Sequence, residues 1–462
     1  MSTTAVNPRI FREYDIRGLH ETDLTDDAVR AIGKAFGTYM RRRGKKRLAV
    51  GRDFRLSSPR ILAALVDGLT STGMDILLAG ELPTPGLYYS ITALGVDGGV
   101  QVTGSHNPIE YNGLKLCEGV QAVYGEAIQG LLDLIRRDDF EKGQGTVRED
   151  PTGDRYRDML VARVKPEGKR KIVLDAGNGS AGPFAPELFR RLGQDVVELF
   201  CEPDGSYPNH TPDPTVEANL QDLIRAVRAE RADFGIGYDG DADRIGAVDG
   251  QGRILWGDQL LALFARDVLA QVPGAPIVFD VKCSQGLEED IAAHGGKPVM
   301  WKTGHSIMKA KMKELDAPLA GELSGHIFFS HGYFGFDDAI YGSLKLLEIV
   351  SRSGKTLGEL RDSIPYYVAT PEIRVDTSDD EKFDIVDRVR DHFKSLGHPV
   401  IAIDGARVTF PDGWALVRAS NTQPVLVLRF EAKTKEGLEA IRGEVLAALA
   451  REGVAAAPSA GH

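Results

Sequence analysis

Leu48-Ala49-Val50-Gly51-Arg52-Asp53 is a short apolar run that closes on an aspartate. Two later segments share its design: Ile172-Val173-Leu174-Asp175-Ala176-Gly177 and Ile277-Val278-Phe279-Asp280-Val281-Lys282. Runs of this length, rich in β-branched residues and bounded by polar turns, read as strands buried on both faces. Helical periodicity follows each one, over 58–70, 183–192 and 284–294. Strands alternating with helices predict related α/β domains built on parallel strands, with ligands taken at the carboxyl ends of those strands. The C-terminal stretch differs. Segments 407–410, 415–418 and 425–431 read as antiparallel strands, and 433–451 as a closing helix, which predicts an α+β domain acting as a lid. Charged, Gly/Pro-containing stretches near 149–153, 249–252 and 365–371 mark the boundaries. The predicted domains are 1–150, 151–251, 252–366 and 367–462.

Bulk properties narrow the class. A chain of 462 residues is too long for one core, and 42% hydrophobic with 27% charged residues is ordinary globular composition. The net charge of −11, with no basic tract, argues against nucleic-acid or anionic-membrane binding. Three scattered cysteines, Cys117, Cys201 and Cys283, form neither a disulfide framework nor a zinc motif and suit a reducing compartment. The N-terminal residues carry no apolar signal region, and no apolar run approaches the ~20 residues of a membrane span. A cytoplasmic protein, monomeric or weakly dimeric, is expected.

Two motifs lie just past strand ends. Val102-Thr103-Gly104-Ser105-His106-Asn107-Pro108 follows the apolar run 96–102 and displays one hydroxyl, with Lys115 close behind. A serine in such a loop is ordinarily a turn or helix cap. Here His106 and Lys115 add proton-transfer capacity and positive charge, and Pro108 is expected to start a helical turn whose N–H groups would face a phosphate. Asp239-Gly240-Asp241-Ala242-Asp243-Arg244 sets three carboxylates at alternate positions. A calcium loop would need glycine at its sixth position and glutamate at its twelfth, where this chain has Arg244 and Gly250. Three oxygen ligands with room for a phosphate oxygen suit Mg²⁺, and Arg244 would stabilise transferring charge. A displayed serine, an acidic metal site and basic clamps together equip a chain for phosphoryl transfer through phosphoserine.

Further candidates are less specific. In Gly321-Glu322-Leu323-Ser324-Gly325-His326, extended backbone would point Glu322 and Ser324 the same way, although a polar turn accounts for the segment equally well. Arg418-Ala419-Ser420-Asn421-Thr422-Gln423 is either a phosphate cradle or a plain turn between strands. Tyr14, Arg17, Lys282 and His305 lie in polar loops near strand ends, and taken singly each suits a structural role.

The four motifs in this order resemble the α-D-phosphohexomutase superfamily, and most closely its bacterial phosphomannomutase/phosphoglucomutase branch, from about Phe11 to about Arg451. The resemblance implies three related α/β domains with mixed sheets and a TATA-box-binding-protein-like fourth domain, arranged as a heart around a central cleft. It implies Ser105 as phosphoryl carrier and, with Asp239, Asp241 and Asp243, as Mg²⁺ site. Arg17, His106, Lys115, Arg244 and His305 match positions used in phosphoryl transfer and proton movement. Glu322, Ser324 and His326 fall in the sugar-reading loop, Arg418, Ser420, Asn421 and Thr422 in the phosphate-gripping loop, and Tyr14 and Lys282 at substrate-binding positions. The implied reaction moves phosphate between C1 and C6 of mannose or glucose phosphates through a 1,6-bisphosphate, which also serves as activator. The loop Gly-Glu-Leu-Ser-Gly-His resembles the GEMSGH loop of the dual enzymes, with leucine for methionine. A phosphoglucosamine mutase is the alternative.

Overall fold

The structure, a computed structural model, describes residues 6–420 and 424–454. It divides into two compact units. One holds residues up to Leu260 together with Ser324–Leu360, and the other holds Leu261–Leu323 and the chain from Arg361 onward.

The first unit contains two sheets. In one, the parallel strands Gly98–Val102, Arg47–Arg52, Asp75–Glu81 and Val147–Glu149 lie side by side in that order. Tyr111–Glu118 joins Gly98–Val102 antiparallel, and Ile16–Leu19 joins Tyr111–Glu118 antiparallel. The sheet is therefore mixed, because the chain leaving Val102 returns at once through the serine loop rather than through a crossover helix. Helices Asp26–Arg41 and Ser58–Thr70 bury their apolar faces against it, with Ile32, Phe36, Leu65 and Leu69 in one core with Val50 and Val100. The two helices approach so closely that a Cβ at Gly68 would lie 2.3 Å from the Arg30 carbonyl oxygen.

In the other sheet, Phe234–Tyr238 and Asp195–Leu199 flank Lys171–Asp175 in parallel. Ile245–Asp249 then runs antiparallel to Phe234–Tyr238, with Tyr238 opposite Ile245. The acidic motif is the loop of this hairpin. Helix Ala339–Ser353, capped by Asp338 Oδ1 on the Tyr341 N–H at 2.8 Å, belongs to the same unit.

In the second unit, Pro276–Asp280 is flanked in parallel by Lys297–Trp301 and Leu319–Gly321, with helices Gln285–Ala293 and His305–Glu314. The C-terminal part is an antiparallel sheet of Val425–Ala432, Gly413–Ala419, Ala406–Phe410 and shorter strands. Helices Lys382–Ser395 and Lys435–Arg451 share one apolar core with it. The expected α+β end is thus present, and all three repeated runs are strands that end at or beside their aspartates. No helix among the described residues is long and apolar enough to cross a membrane.

Candidate active site

Strand register assembles the first cluster. Lys115 lies opposite Gln101, and Arg17 lies opposite Gly113. Residues 113 and 115 face the same side of their strand, so Arg17 and Lys115 share one face of the sheet. Gly113 is required there, since a Cβ would meet the Ile16 carbonyl oxygen at 2.5 Å. Arg17 Nη1 donates to Asn107 Oδ1 at 3.2 Å and Arg17 Nε to Asp15 Oδ2 at 2.7 Å, which ties it to the serine loop.

Ser105 is buried and adopts φ of +49°, in the left-handed region that a serine rarely occupies. Its N–H donates to Thr103 Oγ1 at 2.9 Å. Its Oγ donates to Asp239 Oδ2 at 2.7 Å and lies 3.1 Å from His106 Nδ1. Pro108 does not start a helix, contrary to expectation. The segment is a succession of turns leading into the strand from Tyr111, and its carbonyls are taken up by a side chain from elsewhere in the unit.

The acidic loop is shaped by its own first residue. Asp239 Oδ1 accepts the N–H groups of Asp243 and Arg244, at 3.0 and 3.1 Å. Asp239, Asp241 and Asp243 are all fully buried. Lys115 Nζ donates to Asp241 Oδ2 at 2.7 Å and also to Asp243 Oδ2. Thr84 donates to Asp241 Oδ2 from its hydroxyl at 2.5 Å. Burial opposes charge on Lys115, but Asp241 and Asp243 outweigh it and raise the ammonium above its ordinary pKa. Burial likewise works against ionised Asp241, yet Lys115 and the Thr84 donor hold it far below the carboxylate range. Asp239 goes the other way. Burial, then the charges of Asp241 and Asp243, push it well up.

The three buried carboxylates crowd one another, with Lys115 as the cation hydrogen-bonded to Asp241 and Asp243 and the guanidiniums of Arg17 and Arg244 acting on them through charge alone. Their oxygens lie within 4.8 Å of one another, and Asp241 Oδ1 is buried with no hydrogen-bond partner among the described residues. This donor set fits a hard divalent cation.

His106 is held well below the usual histidine value by burial and then by the Arg244 and Arg17 guanidiniums. It is therefore a neutral imidazole beside the serine hydroxyl. Arg244 forms an antiparallel bridge with His326, and Arg244 Nε donates to His326 Nε2 at 3.0 Å. His326 Nε2 is thus the acceptor, and Nδ1 lies 3.0 Å from Asp337 Oδ2 and 3.5 Å from Asp243 Oδ1. Asp243, His326 and Asp337 are also close enough to one another to hold a metal.

The second unit carries its own polar network. Lys282 Nζ lies 3.2 Å from Glu372 Oε2 and 3.9 Å from Asp280 Oδ2. Burial works against it, but Lys282 and Arg374 hold Glu372 down to about 2. Asp280 accepts the Leu323 N–H at 3.1 Å and the Thr303 hydroxyl at 3.0 Å. Glu322 Oε1 accepts the Gly304 N–H at 2.7 Å, just before His305 opens its helix. Asp404 Oδ2 accepts the Thr303 N–H at 3.0 Å and Arg418 Nε at 2.7 Å. Ser420 is buried and Ser324 and Tyr14 are half-buried, while Asn421 and Thr422 lie outside the described residues. The backbone from Glu322 to Ser324 is a turn rather than extended, because Gly325 at φ +85° reverses the chain beside Ile245.

The structure therefore gathers Ser105, His106, Lys115, Arg17, Arg244, His326 and the three aspartates in one unit. In the other it gathers Lys282, His305, Glu322 and Arg418. Thr84, Asp337, Asp280 and Asp404 escaped sequence reading. Only Asp280 carried a signal, its place at the end of a repeated strand.

Models of phosphoglucomutase/phosphomannomutase α/β/α domains I, II and III match residues 8–142, 154–252 and 256–367, and the C-terminal domain of that family matches 372–448. A phosphomannomutase/phosphoglucomutase of Pseudomonas aeruginosa is 46% identical over 94% of this chain and 94% of its own. A phosphoglucomutase of Neisseria gonorrhoeae is 44% identical over 95% of this chain and 96% of its own. The solved structure of a phosphoglucomutase/phosphomannomutase family protein from Burkholderia thailandensis superposes with a TM-score of 0.92 at 43% identity, covering 98% of this chain and 99% of that one.

Proposed function

The chain belongs to the phosphoglucomutase/phosphomannomutase family, and on that premise we propose that it moves a phosphoryl group reversibly between the C1 and C6 oxygens of mannose and glucose phosphates. Phosphoserine at Ser105 and a hexose 1,6-bisphosphate are the intermediates. The observation that carries this reading is the buried Ser105 hydroxyl, 2.7 Å from Asp239 Oδ2 and 3.1 Å from His106 Nδ1.

In the first half-reaction a sugar hydroxyl attacks the phosphorus of phosphoserine. The bond from phosphorus to the serine oxygen breaks as the new ester forms, and the hydroxyl proton leaves to a base. In the return half-reaction Ser105 attacks the other phosphate of the bisphosphate. Its proton must leave, and Asp239 Oδ2 and His106 Nδ1 are the acceptors in reach. Lys115, Arg17 and Arg244 supply positive charge to the phosphoryl oxygens. A Mg²⁺ ion held by Asp239, Asp241, Asp243 and an oxygen of phosphoserine would neutralise charge on the group being transferred.

Glu322, Ser324 and His326 read sugar hydroxyls in this proposal. Arg418, Ser420, Asn421 and Thr422 grip the non-reacting phosphate, while Tyr14, Lys282 and His305 complete substrate contacts. The division into domains 1–150, 151–251, 252–366 and 367–462 belongs to the same reading, as do a cytoplasmic location and activation by hexose 1,6-bisphosphate.

The test is a Mg²⁺-dependent assay on mannose 1-phosphate, glucose 1-phosphate and glucosamine 1-phosphate in parallel, primed with glucose 1,6-bisphosphate. Comparable rates on the first two support the dual mutase. Turnover of glucosamine phosphate alone would replace it with a phosphoglucosamine mutase.

A further inference from the structure

Arg55 has no place in the chemistry above, yet its guanidinium is buried, with 1% of the residue exposed, beneath the serine loop. Four backbone carbonyls of that loop converge on it. Nη2 donates to Ser105 O at 2.8 Å and Asn107 O at 2.5 Å, and Nη1 to Pro108 O at 2.9 Å and Tyr111 O at 3.0 Å. The Tyr207 ring lies below it, 5.0 Å from the guanidinium carbon to the ring centre.

Asp53, the terminal aspartate of the first repeated strand, holds both partners. Its Oδ1 accepts the Arg55 N–H at 3.0 Å and the Ser58 hydroxyl at 2.5 Å. Its Oδ2 accepts the Gly104 N–H at 3.1 Å and lies 3.6 Å from Arg55 Nε. The fit is tight, since a Cβ at Gly104 would lie 2.5 Å from Arg55 Nε.

We infer that Arg55, anchored by Asp53, is a positioning residue for phosphoryl transfer, a planar clamp that holds Ser105 in its left-handed conformation with Oγ aimed at the acidic loop. The inference rests on the reading of Ser105 as phosphoryl carrier. The physical argument is that αL backbone at a serine is strained and persists only where surrounding contacts over-determine it. A hydrogen bond to the Ser105 carbonyl itself, with three more on the residues that follow, is such a contact set. Arginine alone suits it, because only its fixed fork of five donors reaches four carbonyls spread across a loop, whereas a lysine ammonium is a single point.

The experiment compares wild type with Arg55→Lys, Gly104→Ala and Ser105→Ala. It measures kcat and KM for glucose 1-phosphate, the thermal midpoint, and the rate at which glucose 1,6-bisphosphate phosphorylates Ser105, followed by intact mass. A positioning role leaves substrate binding alone and misplaces the reacting oxygen. In folded Arg55→Lys and Gly104→Ala, KM should stay within about 3-fold while kcat and the phosphorylation rate fall on the order of 10²-fold. If both variants fold and keep kcat within about 2-fold of wild type, or lose activity only in step with the unfolded fraction, the clamp is overturned. Should Arg55→Lys fail to fold, Gly104→Ala, which keeps the arginine and crowds it, decides alone. Wild-type turnover in Ser105→Ala would overturn the phosphoserine reading itself. An inactive Ser105→Ala beside an unaffected clamp variant overturns the clamp only.

Discussion

Ser105 Oγ donates a 2.7 Å hydrogen bond to Asp239 Oδ2, across 134 residues of chain. The serine loop and the acidic loop are thereby one site, although each closes a different sheet. Ser105→Ala removes the donor and the proposed phosphoryl carrier together. Turnover should fall by on the order of 10³-fold or more, with the thermal midpoint little changed. Glucose 1,6-bisphosphate should then leave the protein mass unaltered, and a mass gain of one phosphate would contradict the assignment.

Asp241 serves both Lys115 and the proposed cation. Asp241→Asn withdraws one of the two carboxylates that hold the buried ammonium and one metal ligand. The Mg²⁺ concentration for half-maximal activity should rise, and kcat should drop roughly 10²- to 10³-fold. An unchanged Mg²⁺ titration would take this loop out of the metal site.

Arg418 is fixed against Asp404, and through it to Thr303. Arg418→Lys keeps the charge but loses the fork that matches a phosphate. KM for glucose 1-phosphate should rise about tenfold or more with a smaller effect on kcat, which follows from loss of binding shared by ground and transition states. Steady-state kinetics decides, and an unchanged KM would remove Arg418 from phosphate binding.

His210 predicts a pH-dependent component of stability. Burial works against its protonation, but the hydrogen bond and charge of Asp175, 3.1 Å from Nε2, outweigh burial and raise its pKa. The unfolded value is about 6.5. The contribution is therefore complete below about pH 6.5 and is lost as pH rises through the raised folded value. Thermal unfolding of wild type and His210→Gln over a pH series should show the wild-type advantage shrinking as pH rises. A difference constant with pH would refute it.

Gly68 permits close contact between helices Asp26–Arg41 and Ser58–Thr70. Gly68→Ala places its Cβ against backbone, which cannot rotate away, and should cost about 1–3 kcal/mol. A lowered denaturation midpoint with KM unchanged is the expected result, and a midpoint equal to wild type would show that the helices separate freely.

Chemistry carried on contiguous residues was legible in the sequence. Ser105 with His106, and Asp239 through Arg244, advertise themselves because one short loop must present all the groups, so their spacing is local. The repeated strands ending at Asp53, Asp175 and Asp280 were legible for a similar reason, since a strand buried on both faces has to be apolar throughout. Pro108 and the Glu322–Ser324 segment misled. In both, distant backbone or side chains set the local conformation, through Arg55 in one case and the approach of Gly325 to Ile245 in the other.

The sequence by itself determined the α/β and α+β segments and singled out Ser105 and the three aspartates as candidates, because periodicity and spacing are properties of the chain alone. Tertiary structure alone decided what each group does. Lys115 becomes the counter-ion of Asp241, Asp337 comes within 3.0 Å of His326, Asp404 aims Arg418, and Arg55 gathers the carbonyls around Ser105. These pairings join segments distant in sequence, and a hydrogen bond or a Coulomb interaction depends on distance in space, which residue order does not encode until register and packing have brought the partners within about 3 Å.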